Sequence, residues 1–416
     1  MMNRMLFSLD IGSSKIVSLV GSVGDGVEVQ GIGNYYFTSS GKANDFLSVS
    51  NGVICDLESV GVRVTQVLNE AKINADCSVG SVLANISSSN VRSIYSNSNI
   101  ELNQQSVSVD IIQQLLNSAR QTKIPNQYEV LDYEVQEYLI NKEHYTINPV
   151  NLTAETIESN LNMFVASSGQ ISNLKKVVRY SGFGLTKIVP SGILSGMAVL
   201  NHEEKQLGCC LIDIGAGTTD VVVYENGFIR YLTSIPIGGE DITRDIANVL
   251  KISRNLAEDV KINYGGASYT TSNHKFGEGI TITDHRGLNN SISRKLLIDV
   301  ITERIKDIFE VIKSGLSSKN IYDIINSGII ITGGCSLIPN IEDLAKHYFG
   351  LPVRIGIPHY SGEFADLVAN PKYATSLGAL YFANEYMLDE IKIAEKHGIG
   401  TDLGSIVTKI KGLFSK

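Results

Sequence analysis

The order of apolar and polar positions is repeated at two places along the chain. Near the start, the apolar run Met5-Leu6-Phe7 leads into the loop Asp10-Ile11-Gly12-Ser13-Ser14-Lys15, and a second apolar run ends at Gly24-Asp25-Gly26. At mid-chain, Cys209-Cys210-Leu211 leads into Asp213-Ile214-Gly215-Ala216-Gly217-Thr218-Thr219-Asp220, and the next apolar run ends at Glu225-Asn226-Gly227. Short apolar runs separated by glycine turns are typical of β-hairpins. Each copy therefore predicts strand, tight loop, strand, hairpin turn and strand, and we expect two similar domains that face each other.

Both loops contain the residue types that bind a phosphate chain. Glycine lets backbone N–H groups approach a phosphate closely, small hydroxyl side chains add donors, and Lys15 adds a positive charge. Asp10 and Asp213 end their strands where a carboxylate can hold Mg²⁺, usually through water. A plain turn at a strand end is the alternative for either copy alone, but two copies in matched hairpins favour a phosphate clamp. The candidate residues are Asp10, Gly12, Ser13, Ser14, Lys15, Asp213, Gly215, Ala216, Gly217, Thr218 and Thr219.

The remaining pattern predicts the elements around these loops. A helix is expected over residues 61–74, and residues 82–165 read as a β-rich inserted unit around one helix at 110–121. The second domain opens near residue 206. Its further predicted elements are a helix at 240–250, a hairpin and exposed loops over 270–290, a long helix at 293–314, a buried strand at 329–332 and a helix at 341–348.

Other segments of the second domain complete the candidate nucleotide site. Gly333-Gly334-Cys335-Ser336 follows a buried-strand run and precedes a helix, which is where α/β sheets bind ligands. We expect its backbone to lie beside an adenosine and α-phosphate, with Cys335 in an accessible loop; a plain strand–helix turn is the alternative. Glu258 and Lys261 share a helix face and are candidates to bracket ribose and adenine, whereas a solvated ion pair is equally compatible with the spacing. Gly238 and Gly239, after the third strand of the second copy, join the candidate set.

The C-terminal residues have a different pattern. Six apolar positions recur at helical spacing, and three lysines lie off that stripe, with no acidic residue after Asp402. This predicts an amphipathic helix at 403–416 that binds a membrane surface through Leu403, Ile406, Val407, Ile410, Lys411, Leu413 and Phe414. A helix docked on the protein's own core is the alternative.

Composition excludes several classes of protein. The 416 residues exceed what one core supports, so two or more domains are expected. A net charge of −8 argues against nucleic acid as a partner. The five cysteines form no metal-binding or disulfide pattern and suit a reducing cytosol.

Taken together, these motifs resemble the actin-like ATPase superfamily and, within it, the FtsA family of bacterial division proteins. The resemblance covers nearly the whole chain: residues 10–15 and 211–220 match the two phosphate motifs, 331–340 the adenosine motif, 373–380 the second connecting segment, and the tail the membrane-targeting helix. It implies an α/β actin-like fold in which two related domains flank a nucleotide cleft. The implied domains are 1A (1–84 and 166–205), an inserted subdomain 1C (85–165), 2A (206–240 and 329–388), 2B (241–328), a linker (389–402) and the terminal helix (403–416).

The resemblance also implies a function. It is that of an ATP- and Mg²⁺-binding, polymerising protein that tethers the FtsZ ring to the cytoplasmic face of the inner membrane at the division site and recruits later division proteins. The FtsZ C-terminal peptide would contact subdomain 2B, where Arg294, Lys295 and Arg304 match the family pattern and suit an acidic peptide. An ordinary charged helix face is the alternative for these three residues.

The sequence departs from its relatives at two places, which affects the expected ATP hydrolysis and the expected contacts of the insert. The chaperones of the superfamily have a glutamate where Val189 stands, so no catalytic residue is assigned and ATP hydrolysis is expected to be slow or absent. After Asn148-Pro149-Val150 the glycine-containing run of the family is missing, so the contacts of that edge are in doubt. The alternatives are an actin-fold ATP-binding protein of pilus assembly, which lacks the basic tail, and a sugar-kinase-like enzyme, for which no catalytic aspartate is evident.

Overall fold

The computed structural model describes residues 4–37, 48–78, 81–268, 279–283 and 289–387. The predicted linker at 389–402 and the predicted amphipathic helix at 403–416 lie outside the described residues. Within the described part of the chain, no helix is long and apolar enough to cross a membrane.

The strands alternate with helices along the chain. In chain order they are β1 (Arg4–Ile11), β2 (Lys15–Val23), β3 (Val27–Tyr36), β4 (Val49–Ser50), β5 (Val53–Ile54), β6 (Ser81–Ile86), β7 (Arg92–Ser106), β8 (Tyr128–Ile140), β9 (His144–Thr146), β10 (Thr153–Ser167), β11 (Gly184–Pro190), β12 (Cys209–Ile214), β13 (Thr219–Glu225), β14 (Phe228–Ile235), β15 (Gly279–Thr283), β16 (Asn289–Ser293), β17 (Ile329–Thr332) and β18 (Val353–Ile355).

The α-helices connect these strands. They are α1 (Leu57–Asn74), α2 (Val109–Arg120), α3 (Ser168–Tyr180), α4 (Ser191–Val199), α5 (His202–Leu207), α6 (Gly239–Leu250), α7 (Arg254–Tyr264), α8 (Arg294–Ser318), α9 (Ile341–Phe349), α10 (Ala365–Val368) and α11 (Ala374–Phe382). Caps define several of their starts, since Asp56, Ser108 and Ser293 each accept a hydrogen bond from a backbone N–H of the first turn.

Two sheets repeat one strand order, which confirms the predicted duplication. The first runs β3-β2-β1-β6-β11, and part of the second runs β14-β13-β12-β17-β18. In both, three antiparallel strands are followed by two parallel ones. The central strands β1 and β12 therefore occupy equivalent positions, and the loop after each lies at the equivalent edge of its sheet.

The predicted β-rich insert forms a four-strand extension of the second sheet. Strands β7, β10, β8 and β9 pair in that order, and α2 packs on them around a core that includes Leu115, Ile157 and Met163. Its backbone ladder with the second sheet is short, because β7 and β14 share the single register pair Thr233 and Arg92. Side chains widen this junction: Gln136 and Asn162 donate to the Ile229 carbonyl, and Glu134 accepts the Ile229 N–H. The insert therefore has its own core and is joined to the sheet mainly by side chains.

Helices α4 and α11 pack closely between the two sheets. A Cβ at Gly378 of α11 would lie 1.7 Å from the carbonyl oxygen of Leu194 in α4, so only glycine allows this approach. Helix α4 contacts β12 and β13, and α11 contacts β1, β2 and β6. The small residues of 373–380 thus pack as the predicted connector. The predicted domain limits group them with the second domain, whereas these contacts also join them to the first sheet.

Candidate nucleotide site

A cavity of about 590 Å³ lies between the two halves. Both glycine loops line it, as do the segment after β17 and one side of α7. The structure therefore brings together most of the predicted nucleotide-binding residues. Those that line the cavity are Asp10, Gly12, Ser13, Ser14, Lys15, Asp213, Gly215, Ala216, Gly217, Thr218, Gly239, Glu258, Lys261, Gly333, Gly334 and Cys335.

The two loops have the same backbone turn. The Gly12 N–H donates to the Lys15 carbonyl at 2.9 Å, and the Gly215 N–H donates to the Thr218 carbonyl at 2.9 Å. A Cβ added at either glycine would lie 3.3 Å or 3.2 Å from that same carbonyl oxygen. The repeated sequence thus forms a repeated turn, and each turn exposes backbone at the cavity wall.

The loops also contact each other across the cavity. A Cβ at Gly217 would lie 2.3 Å from the Ser13 hydroxyl oxygen, so the side chain of the first loop rests on the backbone of the second. The same hydroxyl accepts the Gly52 N–H at 3.3 Å. The two loops are therefore in contact before a ligand binds, and a ligand between them can contact both.

Lys15 places a cation at the edge of the first loop. Its ammonium donates to the Lys372 carbonyl and lies 4.5 Å from the centre of the Tyr373 ring. Burial lowers the pKa of Lys15 to about 8, although the nearby Asp10 carboxylate counteracts the shift. A bound phosphate would stabilise the charged form of this side chain.

Asp10 is held by residues from two other elements, β6 and α11. Its Oδ1 accepts the Asn85 side-chain amide at 2.7 Å, and its Oδ2 accepts the Ser376 hydroxyl at 3.4 Å. Asn85 also accepts the Ile11 N–H at 3.0 Å and donates to the Ser191 hydroxyl at 2.8 Å. Burial raises the pKa of Asp10, because the charged form loses its hydration.

Two more buried carboxylates belong to the second loop. Asp213 accepts hydrogen bonds from Ser195 and, at 3.3 Å, from Thr375, yet burial raises its pKa to about 6. Burial, followed by the neighbouring Asp213, raises the pKa of Asp220 to about 8. The Ser87 hydroxyl, from the first half, lies 2.8 Å from Asp220 Oδ2. The second loop thus holds two acidic groups where little water reaches them, and burial favours their protonated forms.

This donor set fits a divalent cation. Asp10 and Asp213 lie at the ends of equivalent strands, and burial raises the pKa of each although hydrogen bonds and the Lys15 charge counteract part of the shift. Hard cations such as Mg²⁺ take carboxylate oxygens, often through water. No group of three or more possible metal-ligating side chains occurs among the residues that the structure describes.

The segment after β17 forms the opposite wall. Gly333 has φ of +85°, and a Cβ there would lie 2.3 Å from Asp213 Oδ1, so two independent constraints require glycine. A Cβ at Gly334 would meet open space. The expectation that Cys335 is accessible is wrong: it is buried in a 3-10 turn, and its thiol contacts the Gly215 carbonyl at 3.4 Å. Burial raises the pKa of this thiol to about 11.

Glu258 and Lys261 form an ion pair that is not fully solvated. The distance between Nζ and Oε2 is 2.7 Å, and the Lys261 side chain is 9% exposed against 40% for Glu258. The Lys261 ammonium also donates to the Gly239 carbonyl and to the Thr243 hydroxyl. Lys261 thus fastens α7 to the start of α6, and the Glu258 carboxylate is the more accessible of the two groups.

Three predicted binding residues lie behind the cavity wall. The Thr219 hydroxyl donates to the Ile237 carbonyl, and the Ser336 hydroxyl donates to the Gly333 carbonyl. Gly238 packs against the backbone of Ala216. All three shape the loops without lining the cavity.

Several cavity residues carry no motif in the sequence. Asn85, Ser87 and Thr375 line the cavity, and Ser195 lies directly behind it. Asn85 ends β6, the parallel neighbour of β1, so the rule that sites form at carboxyl strand ends would have indicated it. Asp220, at the end of the second loop, and Arg254, paired with Glu240, also line the cavity, although the sequence predicts no site role for either.

Two of the predicted partner-binding residues, Arg294 and Lys295, begin α8, and Arg304 lies near the middle of that helix. Arg304 is already paired with Asp245 at 2.6 Å and with Asp307 at 3.2 Å, so its charge is largely satisfied within the protein. Arg294 has a buried Nε with no hydrogen-bond partner, and Lys295 is exposed beside it. The predicted membrane-binding residues 403–416 lie outside the described residues.

The chain matches two family models. Residues 210–378 match the model of cell division protein FtsA, and residues 88–165 match the SHS2 domain inserted in FtsA. The second match coincides with the insert described above.

Similar proteins support the same assignment. Cell division protein FtsA of Neisseria meningitidis serogroup B is 31% identical and aligns with 91% of this chain and 90% of its own. Cell division protein FtsA of Pseudomonas aeruginosa is 31% identical over 94% and 92%, respectively. Among solved structures, a PilM–PilN complex of type IV pilus biogenesis has a TM-score of 0.62 at 15% identity, covering 92% of this chain and 100% of its own. MreB5 of Spiroplasma citri bound to ADP has a TM-score of 0.57 at 18% identity, covering 94% and 98%. The structures show the actin-like fold, and the sequence relatives show that this chain belongs to the FtsA family of cell division proteins.

Proposed function

We propose that the cavity binds ATP with Mg²⁺ and that the chain acts in bacterial cell division as a polymerising adaptor. The phosphate chain would lie between the two turns, with Lys15 and backbone N–H groups as donors. Asp10 and Asp213 would hold the cation through water. The Gly333–Gly334 backbone and Glu258 would face the nucleoside. The observation that carries this proposal is the repeated turn on two loops that contact each other around one cavity.

The bound nucleotide would act mainly as a switch. Val189 is buried and apolar at the end of β11, where the superfamily's chaperones have a carboxylate, so we expect slow hydrolysis at best. Both halves contribute groups to the cavity, so a ligand that binds both favours the closed arrangement. That arrangement would favour self-association into filaments.

The adaptor role joins this switch to two further contacts. The FtsZ C-terminal peptide would bind subdomain 2B beside Arg294 and Lys295, and residues 403–416 would bind lipid. The protein would then tether the FtsZ ring to the cytoplasmic face of the inner membrane at the division site, as a peripheral protein, and help recruit later division proteins. The family assignment supports the division role.

Calorimetric titration with ATP and Mg²⁺ tests the nucleotide site. Asp213→Ala removes a proposed cation ligand, and Gly334→Asp places a negative charge in the open space at the second wall. We expect both to abolish measurable binding. Asp323→Ala, far from the cavity lining, is the matched control and should bind like the unaltered chain. Unchanged binding by either site variant would refute the assignment.

Sedimentation with anionic liposomes tests the membrane contact. With ATP present, the full chain should pellet with lipid, and a chain ending at Asp402 should stay in solution. If both stay in solution, the tail is not a membrane anchor. Binding of a labelled FtsZ C-terminal peptide, measured with Lys295→Ala and with Lys346→Ala on α9 as control, tests the second contact.

A further inference from the structure

A second cavity, of about 640 Å³, shares no lining residue with the nucleotide site. The insert, β11 with α4, α5 with the β13–β14 hairpin, and the last described turn of the chain each contribute to its wall. Four separate stretches of sequence therefore converge on a space that the nucleotide does not use.

The floor of this cavity is apolar. Phe164, Ile193 and Ile229 are buried there, and Met197 is partly exposed to the space. The rings of Phe382 and Tyr386 lie 5.0 Å apart along one side. Met197 and Tyr386, which are partly exposed, are the apolar surface that is stabilised when apolar side chains cover it.

The rim of the cavity is acidic on the side of the insert and the chain end. Asp132 and Glu134 project from β8, and Glu385 is exposed on the final described turn. Lys187 is 2.8 Å from Asp132, and Glu134 accepts the Ile229 N–H at 2.7 Å. Lys205 also lines the cavity: its ammonium lies 5.5 Å from the centre of the Tyr224 ring, and burial lowers its pKa, a shift that Glu385 and Glu134 counteract. An occupant that is apolar on one face and basic on the other would suit both floor and rim.

The chain itself supplies such a segment, and it leaves from the cavity wall. Glu385 and Tyr386 line the cavity, and residues 388–416 follow Met387 directly. The fifteen residues 388–402 can span about 50 Å when extended, so they are long enough for residues 403–416 to reach the cavity. This segment contains Lys409, Lys411 and Lys416 and no acidic residue.

We propose that residues 403–416 dock in this second cavity when no membrane is present. Apolar side chains such as Leu413 and Phe414 cover the floor, and the lysines face Asp132, Glu134 and Glu385. The apolar stripe that occupies the cavity is the one that would insert into lipid, so the two contacts exclude each other. The docking does not depend on the proposed membrane function, but its consequence for membrane binding does.

The chain contains no tryptophan, which provides a direct test. In the full-length chain, Phe414→Trp introduces a single reporter at the end of the stripe. In lipid-free buffer we expect blue-shifted emission and several-fold weaker quenching by acrylamide than in unfolded protein. Adding Met197→Arg, which places a charge on the floor, should restore strong quenching, whereas Met197→Leu should leave the tryptophan protected.

A second variant tests the same docking without changing the cavity floor at Met197. Glu385 is exposed, so Glu385→Lys should fold normally and increase quenching at low salt, and Glu385→Gln should have a smaller effect. A protected tryptophan that responds to neither Met197→Arg nor Glu385→Lys would overturn the proposal, since the tail would then pack elsewhere. A tryptophan exposed in the parent chain would overturn it too. Protection lost on dilution would place the tail in a second copy and equally contradict docking within one chain.

Liposome sedimentation separates this inference from the proposed function. If the tail both docks and binds lipid, Met197→Arg should increase the pelleted fraction at limiting lipid, and Met197→Leu should not. A protected tryptophan with no pelleting of any variant would support docking and refute the membrane role. Pelleting that is equal for all variants, with an exposed tryptophan, would support the membrane role and refute docking.

Discussion

The first and second glycine loops have the same backbone turn and different chemistry. The matched hydrogen bonds of Gly12 and Gly215 are both 2.9 Å long, and both loops follow the central strand of equivalent sheets. The first loop adds a cation, Lys15, whereas the second adds a further buried acid, Asp220, whose pKa is about 8. The same backbone turn therefore lies on both sides of the cavity. The side chains differ: Lys15 suits the first loop to bind phosphate, whereas Asp213 and Asp220 make the second loop sensitive to pH and to cations.

The largest expected effect comes from the place where the loops touch. Gly217→Ala puts a methyl group 2.3 Å from the Ser13 hydroxyl, so we expect a loss of about 1–3 kcal/mol of unfolding free energy. Gly12→Ala and Gly215→Ala meet only a carbonyl at 3.3 Å and 3.2 Å, and a gain of about 0.4–1 kcal/mol from the stiffer unfolded chain offsets that contact. Urea unfolding of the three variants measures this. A Gly217→Ala chain as stable as the other two would show that the loops do not meet as described.

The next effect separates the loops by charge. Lys15→Ala should weaken ATP binding by about 2 kcal/mol, roughly 30-fold, because a hydrogen bond to a charged group is lost. Thr218→Ala, at the equivalent end of the second turn, should cost about 1 kcal/mol, roughly fivefold. Calorimetric titration with ATP gives both values. Equal losses for the two variants would mean that the loops share the phosphate charge evenly.

The second loop should make stability fall as the pH rises towards 8, whereas Lys15 of the first loop, with a pKa of about 8 instead of 10.5, acts in the opposite direction from about pH 8 upward. Asp220 has a folded pKa of about 8, above the ordinary value of 3.8, so the folded state holds a proton that the unfolded state has lost. Unfolding free energy should therefore fall as the pH rises from about 4 to 8, by at most about 1.4 kcal/mol per pH unit for this group.

Asp220→Asn should flatten this dependence between pH 6 and 8, where Asp213 with a pKa of about 6 contributes less. Melting temperatures of the nucleotide-free protein, measured at pH 6, 7 and 8, provide the comparison. A slope unchanged by the substitution would contradict the assignment of the bound proton to Asp220.

The smallest effect concerns the support of the first loop. Ser13→Ala removes the acceptor of the Gly52 N–H, which is 3.3 Å away, and should cost about 1 kcal/mol of unfolding free energy. Ser14→Ala, at an exposed neighbouring position, should change stability by less than about 0.5 kcal/mol. Thermal unfolding of both variants measures the difference. An equal loss of unfolding free energy in the two variants would contradict the structural role of Ser13.

The sequence predicts what depends on local pattern. The duplicated hairpins, the insert and the helices at 57–74, 239–250 and 294–318 appear within a few residues of the predicted bounds. Asn85, Ser195 and Thr375 escape prediction, because each is a polar residue without a motif in a mostly apolar element and reaches the site only through sheet pairing and helix packing. Cys335 is buried rather than accessible because the strand–helix turn tightens into a 3-10 turn against Gly215.

The insert enters and leaves the fold at one point. Arg92 at its start pairs directly with Val165 near its end, and antiparallel partners have Cα atoms about 4.5–5.5 Å apart. A short linker from Val91 to Ala166 would therefore close the gap that removal of the insert leaves. A replacement segment would also have to supply the hydrogen bonds that the insert makes to Ile229 and Arg230 of β14, so the insert is a unit that is bounded in the chain but supports a neighbouring hairpin.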